Sequence, residues 1–173
     1  RILEPLGMRN TYKEYREQPS PQGRLAHHFW YVRGQNLDIV EAEFASTAEW
    51  ANGGQVTTAA DLRTFMRGLF AGKLFRKHET LDLMMNAATI DLNDPQKYFE
   101  NGESTYNRYS CGLARWKVGS TVLWGHTGFW GIGMFYVPES DVCIVFAANQ
   151  VASNVDENMA RFVKSLRETG VLE

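Results

Sequence analysis

Two periodicities divide the 173-residue chain. In "NGGQVTTAADLRTFMRGLFAGKL", Leu62, Phe65, Met66, Leu69 and Phe70 recur at the i, i+3, i+4 spacing that gathers apolar side chains on one helix face. Thr57 or Thr58 can cap its start through a hydroxyl that accepts a first-turn N–H, and Gly72 can close it. A second helix is predicted from near His78, with Leu81, Met84 and Met85 on one face, before the breakers Asn93-Asp94-Pro95 and Asn101-Gly102. A third is predicted over 155–169, where Met159, Phe162, Val163 and Leu166 alternate with polar residues until Gly170.

Between the second and third helices the period shortens. The runs 109–118, 121–125, 130–137 and 142–148 read as strands, separated by Gly119-Ser120 and by Pro138-Glu139-Ser140-Asp141, both suited to hairpin turns. Short turns between consecutive strands imply an antiparallel sheet, and helices, strands, helix in that order imply an α+β fold with the last helix laid across the sheet. Residues 9–52 read as a long irregular connection broken by Pro19, Pro21, Gly23 and Gly34, with one short strand at His27-His28-Phe29-Trp30-Tyr31. The chain is organised as one unit over 1–173: loops and helices over 1–108, strands over 109–150, and the closing helix over 151–173.

With 44% hydrophobic residues, the chain can bury a substantial core, which excludes a disordered or fibrous class. A net charge of −2 and a pI near 6.1, with no Lys/Arg run, argue against a nucleic-acid surface. No apolar window reaches the length of about 20 residues that a membrane-spanning helix needs. Cys111 and Cys143 permit at most one disulfide, but both fall in apolar strand-like runs where a buried free thiol is equally natural. The chain opens on Arg1, and "RILEPLGM" reads as a helix tail entering a turn, as expected of a piece of something longer. Leu172-Glu173 is compatible with a vector-derived tail, and a leader peptide before Arg1 would make a periplasmic or secreted location possible.

The chemistry candidates centre on "LWGHTGFWGIGMFYV". Gly125 and Gly128 let a backbone or ligand approach closely, while His126 and Thr127 supply hydrogen-bonding groups inside an otherwise apolar run. This pattern suits a substrate-binding strand, and it equally suits a bulged strand whose polar groups satisfy the local backbone. His27, His28 and His78 lack the spacing of a metal site, for there is no His-Glu-x-x-His and no Cys-x-x-Cys. Asp61 and Arg63 read as surface charges or a cap interaction. The glycines over 128–133 precede a strand instead of opening a helix, so they do not form a dinucleotide fingerprint.

Five blocks, "ILEPLGMRNTY", "NGGQVTTAADLRTFMRGLFAGKL", "YSCGLARW", "WGHTGFWGIGMFYVPESDVCIVFAANQ" and the closing helix, resemble in order the C-terminal half of the serine β-lactamase and penicillin-binding-protein-like family. Within it, the resemblance is to class C β-lactamases, esterases and D-aminopeptidases. It implies a partial β-lactamase/transpeptidase-like fold, no cofactor and a small acyl substrate. By that resemblance, His126-Thr127-Gly128 is the strand motif lining the cleft: His126 would support electrostatics and proton traffic, and Thr127 would hydrogen-bond the substrate. Gly128 would permit close approach, and the Phe129 backbone N–H would contribute to the oxyanion hole. His in place of the usual Lys removes a permanent cation, which puts a preference for carboxylate-bearing substrates in doubt.

The family's other two motifs are not in the chain. None of the eight serines has Lys three residues on, and none of the seven tyrosines has Asn or Ser two residues on. The resemblance places both motifs before the "PLGM" block, so the chain alone is expected to be inert. It also implies an N-terminal portion beside the sheet, so that self-association, strand exchange or pairing with that portion is expected. Phe129, Trp130, Trp30 and Tyr31 suggest an apolar-lined pocket. The alternative is a nucleophile-free module that holds a ligand or partner in the same cleft.

Overall fold

The computed structural model describes residues 1–13, 25–40, 53–86, 90–91, 104–151 and 153–173. Its centre is a six-stranded antiparallel sheet in the order β10-β9-β8-β7-β6-β5, formed by β5 (Ile90–Asp91), β6 (Ser104–Ser110), β7 (Leu113–Val118), β8 (Thr121–Gly128), β9 (Ile132–Val137) and β10 (Val142–Ala147). From β6 to β10 each strand pairs with the one before it because the connecting turns are too short for any other partner, and β5 adds antiparallel to β6 at the edge. The loop at 138–141 ends with Asp141 at φ 50°, which reverses the chain into β10.

Alternation sorts the strand side chains onto two faces, and helices cover both. Ala114, Trp116, Val118, Leu123, Phe135, Val137 and Ile144 face α4 (Val155–Glu168), which contributes Met159, Ala160 and Val163. On the opposite face, Leu113 and Trp124 pack with Leu69, Phe65 and Phe70 of α2 (Ala59–Phe70) and with Leu81, Met84 and Met85 of α3 (Glu79–Asn86). The predicted apolar faces of all three helices are therefore the ones that meet the sheet. Thr58 caps α2 by accepting from the Asp61 N–H at 3.2 Å, and Asn154 caps α4 by accepting from Glu157 at 3.0 Å.

The N-terminal segment is anchored by a carboxylate. Asp61 is 6% exposed and accepts from the Asn10 N–H at 2.9 Å and the Thr11 hydroxyl at 2.8 Å, so it is a buried tie and not a surface charge. Beside it β1 (Tyr12–Lys13) pairs with β4 (Gln55–Val56), and α1 (Leu3–Leu6) ends at Gly7 in the left-handed region. Leu172, which sequence alone left compatible with an appended tail, is 4% exposed within the core on the α4 side.

Three strand limits differ from the periodicity reading. Residues 109–118 are not one strand: Cys111 (φ 48°) and Gly112 (φ 80°) form a two-residue turn between β6 and β7. Two positive φ values match the twist of a hairpin, and a cysteine in the first position hides the signal that Asn would have given. Cys111 is thus exposed in a turn, Cys143 is partly buried on β10, and both are free thiols. The sheet also begins earlier than 109, at β6 and β5. Finally, β8 runs through Gly128, while β9 starts only at Ile132, because Phe129-Trp130-Gly131 is a turn closed by the Gly131 N–H to the Gly128 carbonyl at 3.0 Å. The long connection over 9–52 holds a hairpin in its described part, β2 (Phe29–Val32) paired with β3 (Gln35–Asp38). Among the described residues, no helix is long and apolar enough to cross a membrane.

Candidate functional site at the end of strand β8

The four residues singled out by sequence, His126, Thr127, Gly128 and Phe129, occupy the end of β8 and the turn that follows it. The strand is interior to the sheet, flanked by β7 and β9, and not at an edge. Its register with β9 is His126↔Met134, Thr127↔Gly133 and Gly128↔Ile132. Alternation puts His126 and Thr127 on opposite faces. At Gly125 the neighbouring backbone is so close that a Cβ would lie 1.9 Å from the Met134 carbonyl oxygen, so glycine is required there by packing within the sheet. At Gly128 a Cβ would meet the Ile132 Cβ at 3.1 Å, a milder restriction at an exposed position.

Both ring nitrogens of His126 are engaged. Nδ1 lies 2.6 Å from the Thr127 carbonyl oxygen, and Nε2 lies 3.3 Å from the Tyr109 hydroxyl. A carbonyl only accepts, so Nδ1 carries a hydrogen, and the neutral ring then offers Nε2 as an acceptor. The local-backbone role and the cleft role are thus compatible in one residue, one nitrogen serving each.

Phe129 projects from the turn and is 61% exposed. The two residues after it are held by main-chain bonds from the segment that follows β10: Gln150 N–H to the Trp130 carbonyl at 3.1 Å, and Ala148 N–H to the Gly131 carbonyl at 3.0 Å. Phe29 of β2 joins the same set, donating to the Asn149 carbonyl at 2.8 Å and accepting from the Val151 N–H at 3.0 Å. Gly131 has φ 72°, and a Cβ on it would fall 2.1 Å from the Ser153 hydroxyl, so only glycine fits the corner.

Aromatic rings continue the clamp. Trp30 meets Phe129 edge-on at 5.9 Å, Phe129 meets Trp130 at 5.1 Å, and His28 packs on Trp130 at 4.4 Å. The structure therefore brings Trp30, Phe129 and Trp130 together as expected. Tyr31, the next residue on β2, alternates away and is 64% exposed. The remaining histidines are dispersed: His27 contacts Asp38 at 2.6 Å across the base of the β2–β3 hairpin, and His78 lies near Gly72 at the end of α2. Among the described residues, no three His, Cys, Asp or Glu side chains gather as metal ligands do.

Two residues of the site were not legible beforehand. By sequence Tyr109 is only the start of a strand, and His28 only part of the short strand at 27–31 without the spacing of a metal ligand. The missing signal in both cases is tertiary: Tyr109 meets His126 only once β6, β7 and β8 pair, and His28 meets Trp130 only once its segment lies against the turn after β8.

Titration shifts mark structural seams away from β8. Burial raises the Tyr136 phenol, aided by its 2.9 Å hydrogen bond to Asp141. Burial likewise raises the Cys143 thiol, with Arg67 and Arg63 opposing. Burial raises the Asp156 carboxyl, while the hydrogen bond from Trp116 Nε1 at 3.1 Å works against that rise.

A family model described as Beta-lactamase matches residues 1–167. Among solved structures, the chain is similar to D-amino acid amidase from Ochrobactrum anthropi SV3, in a complex with L-phenylalanine amide, at 24% identity and a TM-score of 0.73. That similarity covers 98% of this chain and 49% of the amidase chain, so the chain spans about half the amidase's length. No curated protein matches the chain. The amidase likeness carries the fold: the mixed helices and antiparallel sheet correspond to part of a β-lactamase-like architecture. The family match extends over nearly the whole chain, and on it the conclusion rests that the chain belongs to the Beta-lactamase family.

Proposed function

We propose that this chain supplies one wall of the cleft of a serine hydrolase that forms an acyl-enzyme on a β-lactam, a small ester or a D-amino-acid peptide. The observation that carries the reading is the end of β8: a His-Thr-Gly sequence running directly into a turn closed on itself and bonded to the 148–150 segment. In this reading Thr127 hydrogen-bonds the substrate, Gly128 admits it, and the Phe129 N–H donates to the developing oxyanion. A fixed donor of that kind contributes about 3–4 kcal/mol of transition-state stabilisation. His126 serves proton traffic through Nε2. Trp30 and Phe129 supply an apolar wall suited to an acyl chain or an aromatic group.

The nucleophile and its proton shuttle belong to a portion outside these 173 residues, so the chain alone is catalytically inert in this reading. The outer edge of β10 and the half-exposed Phe162, which packs on Phe146 at 5.3 Å, support pairing with that portion or with a second copy. A monomer in sizing and light scattering at high concentration counts against such pairing.

The experiment is covalent labelling of the parent protein with an active-site acylating probe. An added mass on a serine of an upstream Ser-x-x-Lys is the expected result. A parent without Ser-x-x-Lys and Tyr-x-Asn favours the second reading, a ligand-binding or assembly module built on the same fold. The lack of both motifs within this chain is the observation behind that alternative.

A further inference from the structure

Tyr109 reaches His126 from two strands away. In the register Tyr109 pairs with Ala114, and Ala114 with Gly125, so the row across β6, β7 and β8 runs from a phenol to a methyl to a hydrogen. Two strand spacings amount to about 10 Å. His126 is the residue after Gly125, and the Tyr109 hydroxyl comes within 3.3 Å of its Nε2. The phenol and imidazole rings meet edge-on, with centroids 5.8 Å apart and planes at 67°.

The hydrogen bonds define what this contact can do. Because Nδ1–H points at the Thr127 carbonyl, Tyr109 O–H is the donor and Nε2 the acceptor while the ring is neutral. When Nε2 gains a proton, the phenol oxygen can accept the new N–H, its own hydrogen rotating to another acceptor. A hydroxyl is suited to this because it both donates and accepts; an amide or carboxylate in its place would favour one charge state.

We propose that Tyr109 is a positioning residue for His126. It holds the imidazole in one orientation through both of its protonation states. Its consequence for turnover rests on the cleft role of His126 proposed above; its consequence for the ring does not.

The test uses the protein labelled with 15N-histidine, with His126→Ala identifying the resonances. The expected result is an Nδ1–H tautomer, with Tyr109→Phe moving the Nε2 resonance toward that of a free ring nitrogen while the sheet stays intact. An Nε2–H tautomer in the unsubstituted protein, or an unmoved Nε2 resonance in Tyr109→Phe, overturns the proposal. In the catalytically complete parent, Tyr109→Phe should lower kcat about 3- to 10-fold, the range of one net hydrogen bond, with KM little changed. An unchanged kcat in Tyr109→Phe beside a slowed His126→Ala also overturns it. Normal turnover in His126→Ala would instead refute the cleft role of His126, even with the predicted ring shifts observed.

Discussion

The α-carbon of Gly125 faces the Met134 carbonyl so closely that a side-chain carbon there would sit 1.9 Å from the oxygen. No rotamer relieves this, because the contact is made by Cβ itself against backbone. Gly125→Ala must therefore push β8 and β9 apart in the middle of the sheet, and it should cost about 3 kcal/mol in a urea denaturation series. Gly128→Ala, which meets only the Ile132 side chain at 3.1 Å, should cost under about 1 kcal/mol. Equal costs for the two would show that β9 adjusts freely.

His126→Ala tests the cleft strand. The side chain is half-buried and makes its hydrogen bonds at the strand end, so its loss should change stability by no more than about 1 kcal/mol. Turnover of the parent should fall roughly 100-fold, the low end for a group that moves protons in the transition state. Steady-state kinetics decide this, and an unaffected kcat/KM rules out the assigned role.

Asp156 gives a pH signature. Its carboxyl is raised above its ordinary value of 3.8, chiefly by burial. A raised pKa means that the folded state holds the proton more tightly than the unfolded chain. The contribution to stability is therefore complete below about pH 4 and is lost as pH rises through the folded value. Asp156→Asn keeps an acceptor for Trp116 Nε1 and removes the buried charge. Its stability relative to the native protein should improve as pH is raised from 4 to 7, measured by thermal melts. Asp156→Ala, which strands the indole N–H, should cost about 1–2 kcal/mol at pH 4 and less as pH rises, because it too removes the ionising carboxyl.

The two thiols should react at different rates. Cys111 is exposed at the tip of the β6–β7 turn, whereas Cys143 is partly buried and its thiol is raised by that burial. Thiolate is the reactive form, so near pH 8 a thiol reagent should modify Cys111 at least about 10-fold faster. Two equivalents should react after denaturation. A single fast phase of two in the native protein contradicts the placement of Cys143.

Much of the secondary structure was legible because it depends on local periodicity. The faces of the helices around Met66 and Met159, the threonine cap at 58 and the hairpin turns at 119–120 and 138–141 all follow from spacing and from turn-forming residues. The Cys111-Gly112 turn did not, since a cysteine in the left-handed region carries no compositional mark. Of the two readings of Asp61, the cap interaction is present through its N–H to Thr58, but the surface charge is not: on a helix a carboxylate looks solvated until the Asn10 and Thr11 donors are known to lie against it.

The same division runs through the site. By itself the sequence determined that Gly125-His126-Thr127-Gly128 is an unusual polar stretch at a strand end, and its likeness to known motifs named four residues worth testing. Tertiary structure alone decided that Gly125 is required by the Met134 backbone and that the segment bonding Trp130 and Gly131 is itself tied to Phe29 of a distant hairpin. It also decided that Tyr109, two strands away, reaches His126. Periodicity records which face a residue occupies, but strand register and the approach of separate segments arise only when the whole sheet closes its hydrogen bonds.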